Sequence, residues 1–371
     1  MDSLPVETLQ QIFEHACTDG GFTGNALSLT SKQIRAAVRR ARFHTLRVSA
    51  DGKNFPDFVA FFERECNSGG SERPRVRHLY LTLASVPYIP PWVTQTLLTL
   101  RNEPQPCPTG QEAGQSPNHS TLVPPPTLSR ERAVQELVRL VAPDLWSLVL
   151  HAVPHASQDD LQYPILEHTF PLLREVAFIG LPGPTHFLRP DAKPWPASVF
   201  PRATHLHLSP SPRRAGGHDL HLSSWSALAP RVTHLRLSRI ENRHHVQQLA
   251  EAIGVHVQLS IMLLGTAVLT PPAAPLPRPE LPRTYPSVRC LLMEPAEMPR
   301  GRKCGNFALG QAVVGTGLGD IVRECQRPEV DVEAVLFKRP DTVPYVQHAK
   351  ILEEQWVERV EGREGWWKGL E

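Results

Sequence analysis

The glycine-rich run Gly315-Thr316-Gly317-Leu318-Gly319-Asp320 is the segment of this chain that comes nearest to a chemical motif. Glycine-rich turns bind phosphate where their backbone N–H groups and the N-terminus of a following helix face the anion. In this run the third glycine comes one position too early for a dinucleotide fingerprint, and Pro328 limits a following helix to residues 321–327. A nucleotide-binding enzyme that uses residues 315–320 is therefore only our third alternative for the function.

Histidines and cysteines are the other residues that could do chemistry. The six cysteines include no Cys-x-x-Cys pair, so their spacing excludes a zinc knuckle and a thioredoxin-like site. Among the 17 histidines, His78, His205 and His234 share one position of a sequence repeat, which we interpret as a solvent-facing position rather than a metal site. No Ser/His/Asp or Cys/His set stands in the context of a known catalytic family. We therefore expect a protein that is not an enzyme, with no catalytic residue, no metal and no cofactor.

Composition and charge narrow the choice of partners. The 371 residues carry a formal net charge of +2, so no global positive field would attract nucleic acid or an anionic membrane surface. The longest apolar stretch, Ile261 to Leu269, is far shorter than the roughly 20 residues that span a bilayer, and the N-terminus lacks the pattern of a signal peptide. We expect a soluble protein of the cytoplasm, the nucleus or both, which binds no nucleic acid and no membrane.

Apolar periodicity predicts three short helices at the N-terminus. The first ends at Gly20-Gly21, and Thr23 and Ser31 are candidate caps of the second and third. A bundle this small buries too little apolar area to be stable by itself, so we expect it to pack on a partner or on the rest of the chain. The apolar stripes are Leu9, Ile12, Phe13 and Ala16 in the first helix, Leu27 and Leu29 in the second, and Ile34, Ala37, Val38 and Ala41 in the third.

These N-terminal residues resemble the F-box family. Residues 4–13 read Leu-Pro-Val-Glu-Thr-Leu-Gln-Gln-Ile-Phe and match the family's opening Leu-Pro-x-Glu-x-Leu-x-x-Ile-Phe. Residues 27–32 are similar to its second helix and turn, Arg42-Phe43 is similar to its usual close, and Ile34 departs from the tryptophan that the family often has. The double glycine and the Arg-Phe-His-Thr ending are similar to mushroom-type fungal F-box proteins.

The resemblance implies that the module docks on a Skp-type adaptor and thereby attaches a substrate receptor to a cullin-based ubiquitin ligase. Transferred residue by residue, it implies that the adaptor-binding residues are Leu4, Pro5, Leu9, Ile12, Phe13, Leu27 and Leu29.

Beyond the module, one apolar pattern recurs, in which a proline is followed by apolar residues at the second, fifth and seventh positions. We place the proline at the start of a strand, because the last two apolar positions alternate as in a strand. The copies begin at Pro74, Pro143, Pro171, Pro201, Pro230 and Pro286, with a seventh at Ala41. From Pro143 to Pro230 they start 28, 30 and 29 residues apart, and the longer gap before Pro286 leaves room for a unit whose strand we place at Val255 to Leu264.

A helix-plus-strand unit of this length resembles the leucine-rich repeat, whose parallel strands stack into a curved platform. Ser129 is the predicted cap of one helix and Gly254 the predicted end of another. A generic α/β domain with several similar strands is the alternative. We expect an irregular solenoid, because the Asn or Cys position of the leucine-rich repeat is occupied here by Ala84, Val153, Leu181, Ser211, Ile240 and Ala296.

Together these patterns predict an α/β protein in four parts. They are an F-box-like helical module (1–48), the first helix and repeat of the platform (49–100), a proline-rich insert (101–127) and an irregular leucine-rich-repeat-like platform (128–371) with a proline-rich loop at 271–286 and a C-terminal helix. The predicted function is that of a substrate receptor that binds the adaptor through the module and an unknown protein target through the platform. The alternative is a scaffold in which the module is only a folding cap.

Overall fold

The computed structural model describes residues 4–68, 73–83, 129–152, 164–181, 183–187, 198–210, 219–257, 281–296, 305–338 and 345–367. Within them, eight strands form a single sheet in which all neighbours are parallel and the strand order follows the chain order. This confirms the predicted α/β class with parallel strands and intervening helices. The strands are β1 (Thr45–Ser49), β2 (His78–Leu83), β3 (Ser147–Ala152), β4 (Glu175–Ile179), β5 (His205–Ser209), β6 (His234–Ile240), β7 (Cys290–Pro295) and β8 (Glu333–Leu336).

Each predicted repeat copy contains a strand, but the proline does not start it. In the copy at Pro171 the strand begins at Glu175, and the other copies keep this four-residue offset. In the copies at Pro171, Pro201, Pro230 and Pro286 the proline instead occupies the second position of a tight turn. At Pro171, the N–H of Leu173 donates to the carbonyl oxygen of Phe170 at 3.4 Å. Proline suits that position because its ring fixes φ near −65° and removes an N–H that the turn does not use. In the six proline-led copies all three predicted apolar positions are buried.

The two faces of the sheet are covered by different parts of the chain. The connecting helices pack on one face in a continuous apolar core that includes Leu79, Leu206 and Leu235. These helices are α4 (Phe55–Ser68), α5 (Arg130–Val141), α6 (Leu222–Leu228), α7 (Arg243–Ile253) and α8 (Gly305–Cys325). The other face is covered by α9 (Tyr345–Val360) and a 3-10 turn (Gly365–Trp367), around Trp356. As predicted, Ser129 caps α5 and Gly254 ends α7 with φ of +74°. Trp366 and Trp367 pack with the C-terminal helix.

The three predicted N-terminal helices are present and share a small core of their own. Ser31 caps the third helix as predicted, since its Oγ accepts the N–H of Ile34 at 3.1 Å. The prediction that Thr23 caps the second helix is wrong, because Gly21 is the N-cap and has a φ of +105° that favours glycine. The helices are α1 (Val6–Ala16), α2 (Phe22–Ser28) and α3 (Lys32–Val38), and their core contains Leu9, Phe13, Cys17, Ala37, Val38 and Ala41.

The prediction of an additional strand at Val255 to Leu264 is wrong. β6 pairs directly with β7, with His234 opposite Cys290, so no strand lies between them. Residues 255–257 follow Gly254 without strand structure, and residues 258–264 lie outside the described part of the chain. The two-unit spacing between Pro230 and Pro286 therefore corresponds to one crossover that contains α7.

The glycine-rich run at 315–320 is not a loop but lies inside α8. Val314, Leu318 and Ile321 recur at helical spacing and are buried in the core, which fixes the segment as a helix despite the low helix propensity of glycine. A Cβ atom built on Gly315 would meet nothing within 4 Å. The geometry of a phosphate-binding turn is therefore absent from residues 315–320, and the nucleotide alternative loses the feature that suggested it.

The proline-rich segment at 271–286, predicted to be unstructured, is ordered at its C-terminal end. Tyr285 is buried and its hydroxyl donates to the carbonyl oxygen of Ala229 at 2.8 Å, while the N–H of Thr284 donates to the carbonyl oxygen of Glu251 at 3.1 Å. Residues 271–280 lie outside the described residues, as do the predicted insert 101–127 and the repeat positions Ala84, Val153 and Ser211.

Candidate protein-interaction surfaces

The N-terminal module exposes more large apolar side chains than any comparable stretch of the described chain. Eight large apolar residues are exposed in the described part of the protein, and five of them lie between residues 4 and 29. A concentration of exposed apolar surface is typical of protein-interaction sites. The five are Leu4, Val6, Ile12, Phe22 and Leu29, and the other three are Trp146, Leu309 and Leu336.

Helix α2 has one face against the module and an apolar face in solvent. A Cβ atom on Gly24 would lie 2.4 Å from the carbonyl oxygen of Arg42, so glycine is needed for the helix to approach this closely. On the opposite side Phe22, Ala26 and Leu29 recur at i, i+4 and i+7 and share one helical face. Phe22 is 80% exposed and Leu29 is 71% exposed. These three residues, which we call the α2 stripe, form an apolar surface without a partner among the described residues.

The seven residues predicted to bind an adaptor differ in their exposure: some are buried in the core of the module and others are exposed. Leu9 and Phe13 are each only 5% exposed and belong to the core of the module, so they support the surface rather than form it. Leu27 is half-buried against the same core. The remaining four, Leu4, Pro5, Ile12 and Leu29, are exposed. Phe22 and Val6 were missed, although Phe22 could have been found from its i+7 spacing to Leu29.

The module is attached to the free edge of β1. The N–H of Arg47, in β1, donates to the carbonyl oxygen of Gly20 at 3.3 Å. Within the module, a side-chain bond of 3.1 Å joins the Arg42 guanidinium to the Asn25 side-chain oxygen. The module thus covers an edge that would otherwise present unpaired backbone groups.

The second candidate surface is the polar strand face, formed by the strand residues that point away from the connecting helices. Because side chains alternate along a strand, it includes His78, Tyr80, Ser147, Glu175, His205, His207, His234 and Arg236. α9 and the following turn lie across it. Trp356 packs on the Tyr80 ring with 5.4 Å between ring centroids, and Trp367 packs edge-on against His205 at 4.6 Å. Arg359 pairs with Glu175 at 2.8 Å.

Arg236 is the buried charge that joins this face to the C-terminal segment. Its guanidinium pairs with Glu294 at 3.1 Å and also donates to the carbonyl oxygen of Trp366. Ser238 donates to the same Glu294 carboxylate at 2.9 Å. Burial lowers the pKa of Arg236, and the adjacent Glu294 opposes that shift. A buried ion pair of this kind fixes the position of the segment more than it adds stability.

The interpretation of His78, His205 and His234 as solvent-facing is wrong, because the C-terminal segment covers the face on which they lie. His205 and His234 stack with 4.3 Å between ring centroids beneath Trp367. Burial lowers the pKa of His78 and of His205 to about 3. It also lowers the pKa of His348, on α9, to about 4. The histidines of this face are therefore neutral at physiological pH.

The described residues contain no group of three or more His, Cys, Asp or Glu side chains that could hold a metal ion. Within the same residues, no helix has the length and apolar character needed to cross a membrane. No protein-family model, curated protein or solved structure matches this chain.

Proposed function

We propose that this chain is the substrate-receptor subunit of a Skp/cullin/F-box-type ubiquitin ligase. The N-terminal module would bind a Skp-type adaptor, and an irregular leucine-rich-repeat-like platform would present a protein target. Such a protein does no chemistry itself but raises the effective concentration of the target near the catalytic partner.

One observation carries the docking half of this proposal. The module that resembles the F-box has an exposed α2 stripe, and it combines this with exposed Leu4, Pro5 and Ile12 at its N-terminal end. An apolar helix face that no described residue covers suits the groove of a partner protein. The resemblance supplies the identity of that partner as a Skp-type adaptor.

The platform half of the proposal is supported by the topology. An all-parallel sheet whose strand order follows the chain order, with successive units adding one strand each, is the arrangement of a solenoid. The positions that would hold Asn or Cys in a leucine-rich repeat include Leu181, Ile240 and Ala296, which are buried apolar residues. Their apolar character agrees with the proposal that the platform is an irregular form of that architecture.

The test is co-purification of the full chain with a Skp-type adaptor. Ile12→Asp and Leu29→Asp each place a charge on an exposed position, so they should leave the fold intact and lower the adaptor affinity by at least tenfold. Leu309→Asp is the matched control, because Leu309 is exposed on α8 and far along the chain from the module. Unchanged adaptor binding in both module variants, or equal loss in the control, would contradict the docking assignment.

The rival function is a scaffold that uses the module only as a folding cap. It is favoured by the contact of Gly20 with Arg47, since this contact covers the edge of β1 whether or not an adaptor binds. A full chain that folds normally but shows no affinity for the adaptor would support this rival.

A further inference from the structure

The amino-terminal ends of the strands carry a row of basic side chains. Parallel pairing aligns the first residues of β2 to β6 with one another, and the backbone bonding continues into the preceding residue. The N–H of Trp146 donates to the carbonyl oxygen of Arg77 at 2.7 Å, and the N–H of Arg174 donates to that of Trp146 at 2.9 Å. The residues just before the strands, and those two positions earlier, therefore lie side by side along one rim of the sheet.

We call this row the arginine rim. Strand by strand from β2 to β6, the two positions hold Arg75 and Arg77, Asp144 and Trp146, Leu172 and Arg174, Arg202 and Thr204, and Arg231 and Thr233, and the rim consists of the five arginines and Trp146. Arg174, Arg202 and Arg231 are exposed and form no ion pair with any described residue. Neighbouring strands are ~4.8 Å apart, so the rim is roughly 19 Å long, the span of about six residues of extended peptide.

Trp146 gives the rim an aromatic centre. It is 40% exposed, with the Arg77 guanidinium 4.5 Å from its ring centroid and that of Arg174 at 5.7 Å. Tryptophan and arginine are the residues most enriched among the energetically dominant positions of protein interfaces. The two guanidiniums hold the indole ring in place without covering it.

The carboxylates near the rim do not neutralise it. Asp144 pairs with Arg73 at 2.8 Å, and Glu175 pairs with Arg359 at 2.8 Å. These two carboxylates are therefore paired with arginines other than Arg174, Arg202 and Arg231, in a chain whose net charge is +2.

We infer that the arginine rim binds an extended acidic segment of a partner protein, with carboxylates on Arg174, Arg202 and Arg231 and an apolar side chain on Trp146. An acidic peptide fits better than single-stranded nucleic acid, since nucleic-acid grooves place several aromatic platforms in succession and the rim has one. As a description of the ligase target this inference rests on the proposed function. The binding itself requires no adaptor, so the two can fail separately.

The test uses the full chain and a fluorescent peptide of about three Glu-Ser repeats, which matches the length of the rim, with a Gln-Ser peptide as its neutral counterpart. Anisotropy should show binding of the Glu peptide that weakens with added salt, and no comparable binding of the Gln peptide. The combined Arg174→Gln, Arg202→Gln and Arg231→Gln variant should lose about tenfold or more in affinity. Trp146→Ala should lower it at every salt concentration.

The matched control replaces Arg64, Arg132 and Arg243 by Gln. These arginines are exposed on α4, α5 and α7, the helices that cover one face of the sheet, and the change in net charge is the same. Binding within about twofold of the unmodified protein is expected, since surface charge away from the site contributes little. The inference is overturned if the control loses as much as the rim variant, if the Gln peptide binds as tightly, or if no binding is detected. Tighter, rim-dependent binding of a single-stranded oligonucleotide of equal charge would assign the rim to nucleic acid and also overturn it.

Discussion

The N-terminal module and the polar strand face are both candidate interaction surfaces, and they differ in what covers them. The α2 stripe is apolar and has no partner among the described residues, whereas the strand face is rich in histidine and is covered by α9. Burial of an exposed apolar helix face by a partner would lower the free energy of the system. The strand face is already occupied. A protein that binds the platform would therefore meet its rims and helices before it meets that face.

The contact between the C-terminal segment and the polar strand face contains buried polar groups that lack hydrogen bonds. His207, His348, Trp366 and Trp367 each have a buried ring nitrogen without a hydrogen-bond partner among the described residues. An unsatisfied buried polar group costs about 1–3 kcal/mol. We therefore expect the C-terminal segment to open at a lower free energy than the connecting helices do.

The largest expected effect is that of removing the central contact of the C-terminal segment. Trp356 is fully buried between Tyr80 and Ser147, so Trp356→Ala should lower the free energy of unfolding by about 3–5 kcal/mol. Trp146→Ala is the control, because Trp146 is part-exposed and should cost only about 1 kcal/mol. Urea denaturation measures both. A cost for Trp356→Ala as small as that expected for Trp146→Ala, about 1 kcal/mol, would show that α9 contributes little to the stability of the sheet.

Acidification should release the same segment. His78, His205 and His348 have pKa values of about 3 to 4 when buried, but an exposed histidine titrates near ~6.5. The released state binds more protons below that pH, so the stability of the docked segment is fully present above pH ~6.5 and is lost progressively as the pH falls to about 3. Hydrogen exchange of residues 345–360 should accelerate over this range.

The α2 stripe provides the contrast in the acid experiment, because no histidine lies on it. Amide hydrogen exchange in α2 should change much less than that in α9 between neutral pH and pH ~5, once the intrinsic pH dependence of exchange is subtracted. Equal acceleration in both regions would indicate global unfolding rather than release of α9.

The smallest effect is expected from a change outside both surfaces. It tests whether residues 315–320 are helical. Gly315 lies inside α8, is exposed and has room for a Cβ atom. Gly315→Ala should therefore stabilise the protein by about 0.5–1 kcal/mol, the usual gain at an exposed helical position. A loss of stability in thermal denaturation would favour the original interpretation of residues 315–320 as a turn.

The repeat pattern allowed the strands to be predicted because the proline turn and three buried positions recur with little change, as from Pro171 to Phe178. The covering of the polar face could not be predicted. Strand alternation shows that a sheet has two faces, but it does not say which distant segment will cover the second one. His205 and His234 were therefore assigned to solvent, although Trp367 packs on both.

In the N-terminal module, the sequence predicts where the helices lie better than it predicts which of their residues are exposed. The Leu-Pro motif and the stripes located α1 to α3, but a stripe of apolar residues does not separate those that face the core, such as Phe13, from those in solvent, such as Ile12. Phe22 was missed because the second helix was started at Thr23, one residue after the first member of the α2 stripe. The signal at i, i+4 and i+7 was present in the sequence and was lost through the choice of cap.

The most direct test of the account compares hydrogen exchange in both regions with and without a Skp-type adaptor. We predict that the adaptor slows exchange in peptides that cover α1 and α2, because helices whose apolar face is buried open less often. Exchange in α9, residues 345–360, should remain unchanged, since the polar strand face takes no part in that contact. Unchanged exchange in the module, or protection confined to α9, would contradict the assignment of the module as the docking surface.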